Sequence, residues 1–289
     1  MKKTYSVFTA VMTIAVMLSQ VTYGKDGIGL WASAGLEKKI VKGTDLGLEA
    51  EYRLADNLST FDRWSAGLTL STRLYRNFDK TITVKAAAGY KYLRVLNPET
   101  IKYKGESDDI PDNRDLQYYF DGEHDFNYTC SYYENRHRFT ASLQSSYEVS
   151  RFRFSLRESY QFTCSDSVEV GREIHRFVER YDPESDDFVS VHEPNDTTTW
   201  KSGMNKHVLR SRIGVEYNIP HWKFDPFISM EFFNRIDKGW TLAKTRLTAG
   251  IEFTLAKKHD FQIAFVRQNR SDEDEPACSA LCISYKYNF

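Results

Sequence analysis

The sequence predicts an all-β, transmembrane antiparallel barrel of about ten strands (ten to twelve), and three observations predict it. The chain closes on an amphipathic strand with a terminal aromatic, it opens on an export signal with no later apolar run, and between them polar and apolar residues alternate with period two.

The opening "MKKTYSVFTAVMTIAVMLSQVTYGKDG" sets Lys2 and Lys3 before an apolar run from Val7 to Leu18, followed by small and polar residues to Gly24. That order is a secretory signal peptide, with the run too short to span a bilayer as a helix. Cleavage is expected after Gly24, which leaves residues 25–289 as the barrel. The 289 residues have a formal net charge of −1, so no basic excess points to nucleic acid. Aromatics make up 15% and mean hydropathy is −0.55. A polar average still fits a barrel, because each strand is half lumen-facing.

The strands follow in order. Leu46, Leu48, Ala50, Tyr52 and Leu54 oppose Asp45, Gly47, Glu49, Glu51 and Arg53. Trp64, Ala66, Leu68, Leu70 and Leu74 oppose Arg63, Ser65, Gly67, Thr69 and Arg73. Ile82 to Tyr92 alternates with Thr81, Thr83, Lys85, Gly89 and Lys91. Phe139, Ala141, Leu143 and Tyr147 oppose Arg136, Arg138, Gln144 and Glu148. Phe152, Phe154, Leu156, Tyr160 and Phe162 oppose Arg153, Arg157 and Gln161, with Glu158 interrupting the apolar face. The C-terminal half repeats the scheme at 209–217, 228–235, 244–253, 261–265 and 279–289.

Short connections fall at 76–80, 149–151, 219–224 and 256–259, and long polar outer loops at about 95–133 and 164–205. Barrels keep short turns in the periplasm and long loops outside, so the last strand descends to the periplasm. Ten strands then begin near residue 43. The earlier segment "GIGLWASAGLEKK" also alternates, but as an eleventh strand it would start on the outer side, against an even count. It could line the lumen, or a further strand could lie in 116–133.

The closing ladder Tyr285, Tyr287 and Phe289 resembles the assembly signal by which the barrel-folding machinery recognises outer-membrane proteins. Trp31, "EKK" at 37–39, "EAEYR" at 49–53 and "GYKYLR" at 89–94 resemble features of a family of small Gram-negative outer-membrane barrels with no assigned function. The resemblance implies a barrel in the bacterial outer membrane, in contact with its lipid and lipopolysaccharide. It brings no catalytic residues.

Candidate chemistry starts in the lumen. Arg136, Arg138, Arg153, Arg157, Arg210 and Arg212 lie on three consecutive strands, all inward by parity. Guanidinium forks bind carboxylate and phosphate bidentately, so a cationic path for anions is one reading. The expected reading is a structural network with Glu49, Glu51, Glu148, Glu216, Glu231 and Glu252, because unpaired buried charge is costly.

A hydrolase would need His beside Ser or an acid at the outer rim. His137 and His207 reach that height but point outward, and Ser211 is about 13 Å along the strand from His207. No Ser, His and acid cluster at a recognisable spacing. The acidic stretches 105–126, 182–188 and 271–276 match no calcium loop, and a solvated loop is the expected reading. Neither a metal nor a cofactor is expected. Cys130, Cys164, Cys278 and Cys282 sit at outer strand ends, and Cys130–Cys164 is the preferred disulfide. The expected role is non-catalytic: surface binding or passage of a small polar solute, with a surface-facing hydrolase as the alternative.

Overall fold

Alternation becomes a closed wall in the computed structural model, which describes residues 27–105, 110–220, 222–270 and 277–289. In chain order the strands begin with β1 (Ile28–Val41), β2 (Thr44–Ala55), β3 (Thr60–Arg76), β4 (Ile82–Asn97) and β5 (Thr100–Tyr103). A short helix, α1 (Leu116–Asp121), precedes β6 (Phe126–Thr129), β7 (Tyr132–Val149), β8 (Phe152–Ser165), β9 (Val168–Asp182) and β10 (Asp187–Lys201). The chain ends with β11 (Asn205–Tyr217), β12 (Asp225–Arg235), β13 (Thr241–Leu255), β14 (His259–Arg270) and β15 (Cys278–Asn288). The barrel runs β1-β15-β14-β13-β12-β11-β8-β7-β4-β3-β2 and closes on itself. The expected export signal over 1–24 lies outside the described residues.

The wall has eleven strands rather than about ten, and the extra one is β1. It starts at the end that carries the long segments and runs parallel to β15, in register from Ile28↔Ser279 to Glu37↔Asn288. An odd ring of alternating strands must contain one parallel pair, so parity does not exclude this strand. Both partners put compatible faces together. Ser33 and Ser284 meet inside with their hydroxyls 2.7 Å apart.

The long segments between β4 and β7 and between β8 and β11 fold rather than forming open loops. They build a second, four-stranded sheet in the order β10-β9-β6-β5. Its core is Ile101, Tyr119 and Phe126, with Phe177 packed against them. Asp115 caps α1 by accepting from the Tyr118 N–H at 2.9 Å, which satisfies one of the free donors of the first turn. β9 and β10 form a hairpin whose fifteen-residue strands pair throughout.

The wall is uneven in side-chain size. On the inward face of β2, β3 and β4 stand Gly47, Gly67, Gly89, Thr69 and Ala87. A Cβ on Gly67 would lie 2.9 Å from the Tyr90 carbonyl oxygen, so a side chain is excluded there by the neighbouring strand. The opposite arc, β8 and β11 to β13, presents arginines inward. Small residues on one arc leave space in front of long ones on the other.

Candidate functional site

That space is one cavity of about 1340 Å³. Its lining runs from Glu37, Asp260 and Lys286 at the short-turn end to Met204, Asn205 and Lys238 at the other. Among the described residues, fifteen cationic side chains line it against seven acidic ones.

The six expected arginines all reach this cavity, as do Glu49, Glu51, Glu216 and Glu252. Their partners are local. Arg136 meets Glu134 at 2.5 Å, and Arg153 bridges Glu148 (2.9 Å) and Glu216 (3.0 Å). Glu51 takes Arg53 at 2.7 Å, and Glu49 takes Lys91 at 3.2 Å. Arg138 donates to the Thr163 hydroxyl at 3.2 Å. Glu252 lines the cavity without an ion pair among the described residues.

The centre of the arrangement is Glu231, only 1% exposed. Arg210 donates to it through Nε (3.1 Å) and Nη2 (2.6 Å), and Arg246 reaches its other oxygen at 3.4 Å. Arg212 Nε lies 2.6 Å from the same carboxylate but off the N–H axis, so this is a charge contact rather than a hydrogen bond. Register explains the grouping. Gln144, Arg157, Arg212, Glu231, Arg246 and Gln268 are successive directly opposed residues on β7, β8, β11, β12, β13 and β14. The row continues through Lys85 and Arg73 on β4 and β3. Strands in such barrels tilt by about 35–45°, so a row perpendicular to them climbs along the axis.

Within the row, Arg157 donates Nε (2.9 Å) and Nη2 (2.7 Å) to the neutral Gln144 amide oxygen. No carboxylate pairs with it among the described residues. Two rings hold nearby cations: Arg53 stacks 3.8 Å over Trp31, and Arg246 lies between Trp31 (4.9 Å) and Phe233 (5.1 Å). Phe233 also holds Arg210 and Lys244. Alternation alone singles out neither Glu231 nor either ring. Phe233 falls on the inward parity of β12, and an aromatic on a polar face was the available signal.

Other candidate residues take other places. All four cysteines are free thiols, so the expected Cys130–Cys164 bridge is not formed. The cause is that Cys130 follows β6 and bonds Gly171 of the second sheet, whereas Cys164 stands in the barrel wall opposite His137. His137 and His207 point outward as expected and bond the Tyr90 and Tyr160 hydroxyls, each at 2.7 Å. Ser211 donates instead to Glu158, at 2.7 Å, on the outer face. In the second sheet His175 and His192 bond at 2.9 Å under Phe126 and Phe177. Burial raises the Tyr119 hydroxyl pKa in that sheet, and at the rim the hydrogen bond from Arg235 lowers the Asp237 carboxyl to about 2. No group of three or more potential ligands that could hold a metal ion occurs among the described residues. Residues 106–109 and 271–276 of the acidic stretches lie outside the described residues. At the closing strand, Phe289 donates its N–H to the Glu37 carbonyl at 2.9 Å and packs its ring on Tyr287.

Fold and lining together define a closed, eleven-stranded β-barrel with a predominantly cationic lumen. The chain belongs to the family described as "Protein of unknown function (DUF2490)", whose model matches residues 28–277. Among solved structures it is similar to the translocator domain of autotransporter NalP from Neisseria meningitidis. That match has 9% identity and a TM-score of 0.44, and covers 94% of this chain and 92% of that one. No curated protein matches.

Proposed function

We propose that the chain is an exported, non-catalytic barrel of the bacterial outer membrane whose lumen admits small anions. Its short turns would face the periplasm and its second sheet the outside. The outer surface supports insertion: Leu48, Leu68, Leu70, Leu143, Leu156 and Ile213 are exposed at mid-strand, a belt that water would not tolerate and acyl chains would cover. Tyr52, Trp64, Tyr92 and Tyr160 stand nearer one rim and Tyr147, Phe152 and Tyr217 nearer the other, as aromatic girdles do. The terminal Tyr285, Tyr287 and Phe289 would serve recognition by the assembly machinery.

The observation that carries the anion reading is the charge of the cavity, where cations outnumber acids about two to one. A network built only for structure would need the two signs in balance, since uncompensated charge in a low-dielectric wall is costly. Glu134, Glu148 and Glu231 offset part of this excess from within the wall, but Arg157 faces the cavity with no carboxylate paired to it among the described residues. Nothing favours the hydrolase, because the outward histidines bond tyrosines and the nearby serine bonds Glu158.

Refolded protein in a planar lipid bilayer tests this. The expected result is steady, anion-selective conductance, with selectivity reduced in the Arg157→Gln/Arg210→Gln double variant while conductance persists. A silent or cation-selective wild type would overturn it.

A further inference from the structure

We propose that the arginine row across β8, β11, β12 and β13 is a saturable binding site for a multivalent oxyanion, of the phosphate-ester or polycarboxylate class. The inference rests on the reading of the lumen as anion-accepting, and adds a defined site within it.

Arg157, Arg210, Arg212 and Arg246 surround a single carboxylate, Glu231, which is fully buried and contacts three of them. Arg212 is directly opposite Arg157 on the adjacent strand. Like charges in direct cross-strand opposition destabilise a sheet unless something of opposite sign joins them. Glu231 serves Arg212 from the far side, and among the described residues Arg157 bonds only the neutral Gln144. The unmet charge therefore lies on the Arg157–Arg212 edge, and both residues line the cavity.

Geometry then selects the ligand. A guanidinium presents a planar fork that fits two oxygens of a carboxylate or phosphate, whereas a halide meets it as a point charge. Arg246, held between Trp31 and Phe233, and Arg210, held on Phe233, lose little further freedom on binding. Their planes are set before the ligand arrives. Within this group four guanidiniums share one carboxylate, so one added negative charge leaves it unbalanced and two or more bring it towards neutrality. The cavity of about 1340 Å³ leaves room for an anion larger than chloride.

The test is calorimetric titration of the refolded full chain in detergent with inorganic pyrophosphate, and separately with citrate, at low chloride. Saturable binding of one anion per barrel is expected, weakened roughly tenfold or more by Arg157→Gln and by Arg212→Gln. Arg157→Lys keeps the charge but loses the fork, and should fall between. Lys286→Gln removes a cavity charge at the short-turn end and should leave affinity unchanged. Should Arg212→Gln fail to fold, Arg157→Gln carries the test, because its hydrogen-bond partner among the described residues is a neutral amide. Equal losses from Lys286→Gln and Arg157→Gln would mean a diffuse field and would overturn the site, as would the absence of saturable binding. Preference for pyrophosphate over citrate, or the reverse, identifies the phosphate or the carboxylate source. A silent barrel that binds pyrophosphate would sink the conductance reading alone, and a conducting barrel that binds neither anion would sink the site alone.

Discussion

Leu68 and Thr69 are neighbours on β3 with opposite surroundings: Leu68 is exposed on the outer face, and Thr69 lines the cavity. If the outer face meets acyl chains, Leu68→Arg should cost about 2–4 kcal/mol. Thr69→Ala should cost less than about 1 kcal/mol, since that side is wet. Urea titrations in lipid vesicles would compare them, and equal losses would contradict the assigned faces. Gly67 is unsuitable as the inward control, because any Cβ there strikes the Tyr90 carbonyl. Glu158 is the converse case, a carboxylate at the middle of β8 on the outer face, bonded to Ser211. If that face meets acyl chains, Glu158→Leu should raise the urea midpoint, because it removes a charge from the apolar belt at the cost of one hydrogen bond. A lower midpoint would show that the carboxylate is satisfied from outside the chain.

At the scale of the element, alternation made ten strands legible, and it made the inward charge legible with them. It could not give β1 its partner, because period two is the same for parallel and antiparallel neighbours. Nor could it reveal the β9–β10 hairpin, where Glu193, Asn195, Asp196 and Thr197 to Thr199 put polar residues on both faces of β10. That hairpin is held mainly by its backbone ladder. The central role of Glu231 was hidden for a related reason: parity gives a residue its face, but only register tells which charges stand side by side. The seam between β1 and β15 is open to direct test. In a Ser33→Cys/Ser284→Cys variant the new thiols would replace hydroxyls 2.7 Å apart, so a disulfide should form that does not impair folding. Free thiols at both positions under oxidising conditions would argue against the parallel pairing. Changing Tyr287 and Phe289 to Ser should leave secretion intact and block assembly. Heat-modifiable, membrane-inserted double variant would refute an assembly role for the ladder.

At the scale of the whole molecule, the barrel wall closes without strand pairing to the hairpin that rises from it. β8 and β11 pair directly from Asn205↔Cys164 to Tyr217↔Phe152, and neither β9 nor β10 pairs with a wall strand. Ser165 and Met204 already exchange two backbone hydrogen bonds, at 2.9 and 3.2 Å. A pair closed in that way is where a two-residue hairpin turn fits, and Asn-Gly supplies the positive φ angles such a turn requires. Replacing residues 166–203 by Asn-Gly should therefore yield a barrel that still folds, migrates with heat-shifted mobility and keeps its far-ultraviolet strand signal. What the excision removes is the partner of β6, so the remnant of the second sheet around Ile101, Tyr119 and Phe126 should lose order and become protease-sensitive. If the second sheet stands over the lumen mouth, conductance should rise while selectivity, set by the arginine row below, stays the same. A variant that fails to fold would mean that the outer sheet is part of the barrel's folding unit, and the independence of the wall would have to be abandoned.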